Sequence, residues 1–334
     1  MSRLFARTFA AALFLCAGCI PLHVTLQAAE GQLALLAARR PIAGILAERR
    51  GPRRVRRLLA EIERVKRFGE ANGLRPTENY QDYVQLHRPA VVWVVSACEP
   101  LRFIPKTWSF PIAGSFPYLG WFDLQSARDY TRDLEEDGWD ADLRSASAYS
   151  TLGWFRDPVL STMISPGPAA RRELVDVVLH ESVHATLYVE GQGPFNESLA
   201  SFVAGILTDR YLGRAAPKDP RRAAQEQVRR ALHDAYGELE ALYASAAPDD
   251  EKRARKAISL AALKERLAWK RRLNNATLLG YRTYDSGQVG FPRLLANCQG
   301  DLRCFLDRVR TLTPAQFARP HQEDFDGLVL GLLR

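Results

Sequence analysis

The order of apolar and polar positions predicts helices at the start of the chain. Residues 25–72 repeat apolar positions at helical spacing, and the repeat is interrupted at Pro41 and around Gly51-Pro52. Proline lacks the backbone N–H that a helix interior needs, and glycine adopts turn conformations readily. The pattern therefore predicts several helices that end at these two points.

Residues 89–164 have the character of strands. Val91 to Val95 is rich in β-branched side chains and favours a strand. Further β-rich pieces, punctuated by Pro and Gly, surround Trp108-Ser109-Phe110, Phe116 to Phe122 and Ala146 to Phe155. These short runs predict a small β-sheet.

From Ala169 onward the pattern is mostly helical again. Residues 219–246 and 249–272 predict two long charged helices. We therefore predict an α+β fold, with a mixed N-terminal half that contains a small β-sheet and a mainly α-helical C-terminal half.

A break in this pattern predicts how the chain is divided. The segment Ser165-Pro166-Gly167-Pro168 is typical of a boundary. It separates an N-terminal α+β region with substrate-side strands, residues 20–168, from a helical metal-binding region, residues 169–334. Residues 1–19 are set apart as a leader.

The leader resembles a bacterial lipobox signal. Arg3 and Arg7 precede a short apolar run from Thr8 to Gly18, which is too short to span a bilayer well but suits a signal peptide. The small residues before Cys19 predict lipid attachment there, although Cys16 stands where Leu is usual. A leader without lipidation, cleaved or uncleaved, is the alternative.

An attached lipid places the protein in the cell envelope. Residue 20 is Ile rather than Asp, which gives no signal for retention at the inner membrane. We therefore expect an exported protein on the periplasmic side, with the outer membrane favoured and the lipid anchor as its contact with the membrane.

The composition is that of a globular protein with excess positive charge. Of 334 residues, 47% are hydrophobic and 25% charged, and the net charge is +8. Arginine clusters such as Arg53-Arg54 raise the alternatives of nucleic-acid binding and of attraction to an anionic membrane. Because no nucleic-acid motif accompanies the charge, we favour solvated helix faces and expect no nucleic-acid partner.

Three cysteines follow the leader, and none has the spacing of a zinc–thiolate site. Cys298 and Cys304 can form a disulfide in an exported chain, which would leave Cys98 free. Three reduced and buried thiols are the equal alternative.

The strongest chemical signal is His180-Glu181-Ser182-Val183-His184, a His-Glu-x-x-His motif in a helical stretch. Side chains four residues apart lie one turn apart on the same helix face, so both imidazoles can bind one zinc ion. Glu181 is then placed to act as the general base toward a zinc-bound water. The alternative is a helix whose two histidines are exposed or satisfied in the core.

A third ligand is expected from the next helix. A break at Gly191-Gln192-Gly193-Pro194 is followed by Glu197, which 12 residues separate from His184. A catalytic zinc typically has three protein ligands and one open position. For Glu197 to return to the metal, the first helix should end near Tyr188, and residues 189–194 should form the return. One zinc ion per chain is therefore predicted, on His180, His184 and Glu197.

The sequence Asn196-Glu197-Ser198-Leu199-Ala200 after the motif is similar to that of thermolysin-like and aminopeptidase-like zinc peptidases, the gluzincins. Over nearly its whole length the chain resembles one bacterial family of predicted zinc aminopeptidases, many of them lipoproteins. The residues that carry this resemblance are Gln27-Ala28, Gly31-Gln32-Leu33, Tyr80 with Tyr83, Arg88-Pro89, Trp108 to Gly114, Ala148 to Phe155, Asp157-Pro158, Leu179-His180-Glu181, Phe195 to Ala200, Asn274-Asn275-Ala276 and Thr283-Tyr284.

The resemblance implies a zincin-type core and a peptidase that acts on peptides, with an aminopeptidase favoured. One departure concerns the Gly-x-Met-x-Asn segment with which many zinc aminopeptidases bind the substrate's free amine. It is absent, since the only methionines are Met1 and Met163. An endopeptidase of the same fold, or an inactive zinc-binding envelope lipoprotein, therefore stays open, although Glu181 argues against an inactive site.

Two further roles are predicted for the peptidase. Tyr284 and Tyr149 are candidates to donate a hydrogen bond to the tetrahedral oxyanion, because related enzymes often use Tyr or His there; packed core tyrosines are the alternative. Ala148 to Leu152 is the candidate edge strand that would bind an extended peptide. Asn196 is expected to orient the site rather than to bind metal.

Overall fold

The computed structural model describes residues 22–48, 51–110, 114–148, 156–213, 220–282, 287 and 289–333. Its architecture is mixed α+β with small sheets and a mostly helical C-terminal half, which confirms the predicted fold class. No helix in these residues combines the length and the apolar character that crossing a membrane requires.

The N-terminal helices end where the sequence predicted. Helix α1 (Leu22–Ala37) precedes a two-residue strand, β1 (Arg40–Pro41), and α2 (Ile42–Glu48) follows directly. Gly51 adopts a left-handed φ of 82° before α3 (Arg53–Leu59), whose first residue follows Pro52. A further helix, α4 (Ile62–Ala71), begins after a break at Ala60 that the sequence analysis had not predicted.

The central sheet is built on the predicted valine-rich strand, β3 (Val92–Cys98). It pairs antiparallel with β6 (Leu119–Trp121) on one side and with β7 (Asp140–Ala146) on the other. Helix α5 (Leu124–Glu136) connects these two outer strands. Most of β3 is buried, and this explains its nearly continuous run of apolar residues.

Two smaller β-structures complete the N-terminal half. Strand β2 (Asp82–Val84) pairs antiparallel with β1 and parallel with β8 (Val159–Leu160). Strands β4 (Trp108–Phe110) and β5 (Gly114–Phe116) form a hairpin. Only the β4–β5 pair agrees with the β-rich pieces predicted from the sequence, since β1, β2 and β8 lie outside them.

The C-terminal half begins with two helices that pack on each other, α6 (Ala170–Thr186) and α7 (Gly193–Leu212). The predicted pair of long charged helices follows as α8 (Pro220–Ala244) and α9 (Asp249–Arg266). The remaining helices are α10 (Asn275–Arg282), α11 (Gly290–Asn297), α12 (Leu302–Val309) and α13 (Asp326–Gly331).

The largest apolar cluster contains residues from both sides of the predicted boundary at residue 168. Val84 and Val92 from the strands belong to it together with Leu179 and Leu199 from α6 and α7. A second cluster lies around β3, and a third joins α8, α9 and α10. The site helices are thus held in the main core, and the division into two regions stays a prediction.

The cysteines adopt the first of the two predicted arrangements. Cys298 and Cys304 form a disulfide at the start of α12, with their Cα atoms 5.8 Å apart. Cys98 is a free thiol, fully buried at the end of β3.

Candidate metal centre

Helix α6 carries the His-Glu-x-x-His motif and is held in the core along one side. Leu174, Val178 and Val183 are each at most 2% exposed, so the helix is fixed by apolar packing. The other side, with His180 and His184, is turned toward α7. The two histidine rings lie one turn apart, with ring centroids 4.8 Å apart, as their spacing predicted.

The return between the helices begins earlier than predicted, because α6 ends at Thr186 rather than near Tyr188. Leu187 is already extended (φ −146°, ψ 123°), although its N–H still donates to Val183 O. Leu187 and Val189 are buried while Tyr188 between them is exposed. Alternating burial is a property of extended backbone, so packing of these two side chains ends the helix.

Asn196 closes this return with two hydrogen bonds to one residue. Its amide nitrogen donates to Val189 O at 2.8 Å, and its amide oxygen accepts from Val189 N at 2.9 Å. Asn196 is 1% exposed. Because Asn196 lies in the first turn of α7, next to Glu197, this pairing ties the start of α7 to the return; the orienting role of Asn196 stays a prediction.

The three predicted ligands converge at one point. His180 Nε2 lies 3.3 Å from Glu197 Oε2, His184 Nε2 lies 3.5 Å from Glu197 Oε1, and the two Nε2 atoms are 3.1 Å apart. Donors bound to one tetrahedral ion at zinc–ligand distances would be about 3.4 Å apart. The donor spacings bracket this value, so the arrangement could hold one metal ion, and within the described residues it is the one such group of His, Cys, Asp and Glu side chains.

The site is open on one side. The His184 side chain is 11% exposed and that of His180 18%, whereas that of Glu197 is 29% exposed. His184 Nδ1 is buried with no hydrogen-bond partner among the described residues. A solvent molecule or substrate group can therefore approach from the side of Glu197.

Contact between Glu197 and the two imidazoles favours the ionised carboxylate and shifts the pKa values of Glu197 and His180. Burial alone would raise the pKa of Glu197, but its hydrogen bonds to His180 and His184 outweigh this and lower the pKa. Burial lowers the pKa of His180, and Glu197 then raises it above its usual value. The carboxylate thus stays ionised, which is the form that binds a cation.

Glu181 lies beside the cluster in a drier environment. Burial raises the pKa of its carboxyl, followed by opposing effects of the two imidazoles and of Glu197. Its Oε2 atom is buried and makes no hydrogen bond to any described residue. A buried carboxylate oxygen without a partner is costly to keep, so it is available for a group that enters the site.

Several other predicted residues lie outside the described part of the chain. These are Cys19, Tyr149 and Tyr284, and residues 149–152 of the predicted edge strand. Strand β7 ends at Ala146, two residues before Ala148, where the predicted edge strand begins. Their roles therefore stay predictions.

Tyr188 lies beside the site, and the sequence had predicted no role for it. Its ring centroid lies 6.5 Å from that of His184, and the residue is 46% exposed. Burial of part of the phenol, and then the charge of Glu197, raise its pKa, so the hydroxyl stays protonated at neutral pH. Its spacing of four residues from His184 was the available signal.

A distant segment also supports the return. Gln192, 3% exposed, donates to Arg319 O and accepts from Gln322 N, both at 3.0 Å. His321 N–H donates to Gly191 O at 2.8 Å. No local pattern in the sequence could have revealed contacts between residues that are 127 positions apart.

A protein-family profile described as "Putative aminopeptidase" matches residues 24–323. The chain belongs to this family. The match contains the three clustered side chains, Glu181 and the supporting segment 319–322, and it confirms the resemblance to a putative aminopeptidase family. No curated protein and no solved structure matches this member of the putative aminopeptidase family.

Replacing Asn196 with Ala is expected to weaken metal binding by about 10- to 100-fold, as is typical when a partner of the ligand shell is lost. Without both hydrogen bonds to Val189, the first turn of α7 is free to shift and Glu197 moves with it. Titration against a competing chelator would measure the affinity.

Asn274→Ala is the matched control. Asn274 is 4% exposed and also donates to a backbone carbonyl, that of Ala141 at 2.7 Å, but it lies immediately before α10. Both variants should lower the melting temperature, and only Asn196→Ala should lower metal affinity. Equal metal affinities in the two variants would contradict the positioning role of Asn196.

Proposed function

We propose that this chain is a zinc-dependent peptidase with a zincin-like core, and within that class an aminopeptidase. The observation that carries the proposal is the convergence of His180, His184 and Glu197 at donor spacings of 3.1–3.5 Å. Glu181 lies beside the two histidines on α6. The family to which the chain belongs supports the aminopeptidase assignment.

Zinc is the metal that this donor set favours. Two imidazole nitrogens and one carboxylate oxygen match the His₂Glu set of catalytic zinc sites, which keep a fourth position for water or substrate. Magnesium and calcium prefer all-oxygen surroundings, so two imidazoles disfavour them. One zinc ion per chain is proposed.

The chain's own residues divide the chemistry between them. A zinc ion supplies Lewis acidity, which lowers the pKa of water and polarises a carbonyl group. Glu181 is the group that takes the proton from the attacking water and passes it to the leaving amine. Its buried Oε2 atom, which makes no hydrogen bond to any described residue, is free to accept that proton.

A neutral hydrogen-bond donor is needed for the oxyanion. Tyr284 and Tyr149 are still the candidates from the sequence, and Tyr188 is added because its protonated phenol stands beside His184.

The proposed setting is the bacterial cell envelope. We propose lipid attachment at Cys19 and, through it, a location at the periplasmic face of a membrane, with the outer membrane favoured. Peptides in the envelope would then be the substrates.

Incubation with a mixed peptide library tests the function. We expect mass spectrometry to show loss of single N-terminal residues from peptides with a free amine, and no cleavage of N-acetylated copies. A chelator should abolish the cleavage and added zinc should restore it. Internal cuts of acetylated peptides would instead identify an endopeptidase, and an absence of zinc-dependent cleavage would contradict the proposal.

A further inference from the structure

Helix α1 is fixed to the body of the protein along one side. The amide of Gln27 donates to Gly120 O at 3.0 Å and accepts from Phe122 N at 2.9 Å. One turn further, Gly31 packs so tightly on the Phe122 ring that an added Cβ would lie 2.1 Å from a ring carbon. The helix therefore presents a constant face to its surroundings.

The opposite side of α1 is exposed and mostly apolar, although the exposed Glu30 lies on it between Leu26 and Leu33. Leu26 is 59% exposed and Leu33 64%, and these two residues lie two helical turns apart. Ala29 and Ala37 are exposed on the same side. We call these four residues the outer face of α1. Two exposed leucines and two exposed alanines thus form one apolar strip along the helix.

The helix is also poor in charge. Glu30 is its only acidic residue, and it contains no Lys or Arg. Apart from Glu30, the helix therefore offers no acidic or strongly basic group to a charged partner.

The position of this face in the chain identifies what covers it. Helix α1 begins at Leu22, three residues after Cys19. Three extended residues span about 11 Å at most. A lipid attached to Cys19 would therefore hold the first turn of α1 within that distance of the bilayer surface.

We propose that the outer face of α1 lies on the lipid bilayer, where it inserts Leu26 and Leu33 among the headgroups and upper acyl chains. Amphipathic helices bury their apolar face about 5–10 Å deep in this region. Because α1 is rigidly joined to the sheet through Gln27, this contact orients the whole protein on the membrane. The inference rests on the lipid attachment proposed above, and it does not depend on peptidase activity.

A spin label at position 33 tests the contact. The full-length acylated protein, as Leu33→Cys, is placed in vesicles of phosphatidylethanolamine and phosphatidylglycerol. Ile258→Cys on α9 is the matched control, because Ile258 is an equally exposed apolar residue at 71%. Labelling is selective, since Cys98 is buried and Cys298 is bonded to Cys304.

We expect the label at position 33 to be several-fold less accessible to an aqueous nickel chelate than the label at 258, and more accessible to oxygen, which concentrates in lipid. Equal nickel accessibility at both positions would overturn the inference. Dipolar broadening between labels at 33 would also overturn it, because a second copy of the chain would then cover the face. Mass spectrometry of the same sample shows whether Cys19 is acylated; an unmodified Cys19 overturns the anchor and this inference together.

Discussion

Replacing Glu181 with Gln is expected to lower the rate of peptide hydrolysis by about 100- to 10,000-fold, the usual contribution of general-base assistance. The amide keeps the size of the carboxyl group but cannot accept the proton of the attacking water. Glu181 is not one of the three clustered ligands, so about one equivalent of zinc should stay bound. Hydrolysis rates and metal content of the same preparations would be measured.

The control is Glu173→Gln, the same substitution in the first turn of the same helix, away from the cluster. Its rate should equal that of the wild type. If Glu181→Gln and the wild type hydrolyse peptides equally fast, the mechanism is wrong and the cleavage comes from a contaminant. If neither shows activity while both bind zinc, the protein is a zinc-binding relic.

Replacing His180 or Glu197 with Ala is expected to remove most of the bound metal and, with it, all measurable activity. Either change leaves two protein ligands, and the loss in affinity should exceed the roughly 100-fold that outer-shell changes reach. In the His180→Ala protein, the Glu197 carboxylate would also lose one of its two imidazole partners. Metal content would be determined by atomic emission after dialysis.

His87→Ala serves as the control, because His87 is an exposed histidine outside the motif. It should retain about one equivalent of zinc, as in an intact three-ligand site. Full retention of zinc by His180→Ala would exclude the site as described. A comparison of Glu197→Ala with Glu181→Gln distinguishes the roles of the two carboxylates, since only Glu197→Ala should lose metal.

Where local chemistry decides the backbone, the sequence was sufficient. Pro41 and Gly51-Pro52 separate the first three helices, and β-branched residues formed β3. The same reasoning placed the end of α9 too late, at residue 272 instead of Arg266. There Ala268 takes a left-handed φ of 49°, and Trp269 N–H donates to Lys264 O to cap the helix. Glycine is the usual residue at that position, so alanine gave no signal.

For the candidate site, the helix period alone put His180 and His184 on one face and left Glu181 between them, since these relations depend on spacing within one helix. The return of Glu197 depended on more than spacing. Buried Leu187 and Val189 end α6 early, and Asn196 binds the backbone of Val189. The early end of α6 and the contact of Asn196 with Val189 both depend on packing in the core, which a sequence pattern does not reveal.

What the sequence determined by itself is the chemistry: which side chains can bind a metal, which can act as a base, and where a few of the helices begin. What only the tertiary structure decided is the set of contacts between distant segments. Gln192 bonded to the segment 319–322, the disulfide between Cys298 and Cys304, and the fixed outer face of α1 belong to this set. Such contacts form because the whole chain buries its apolar surface at once, so no short stretch of residues can specify them.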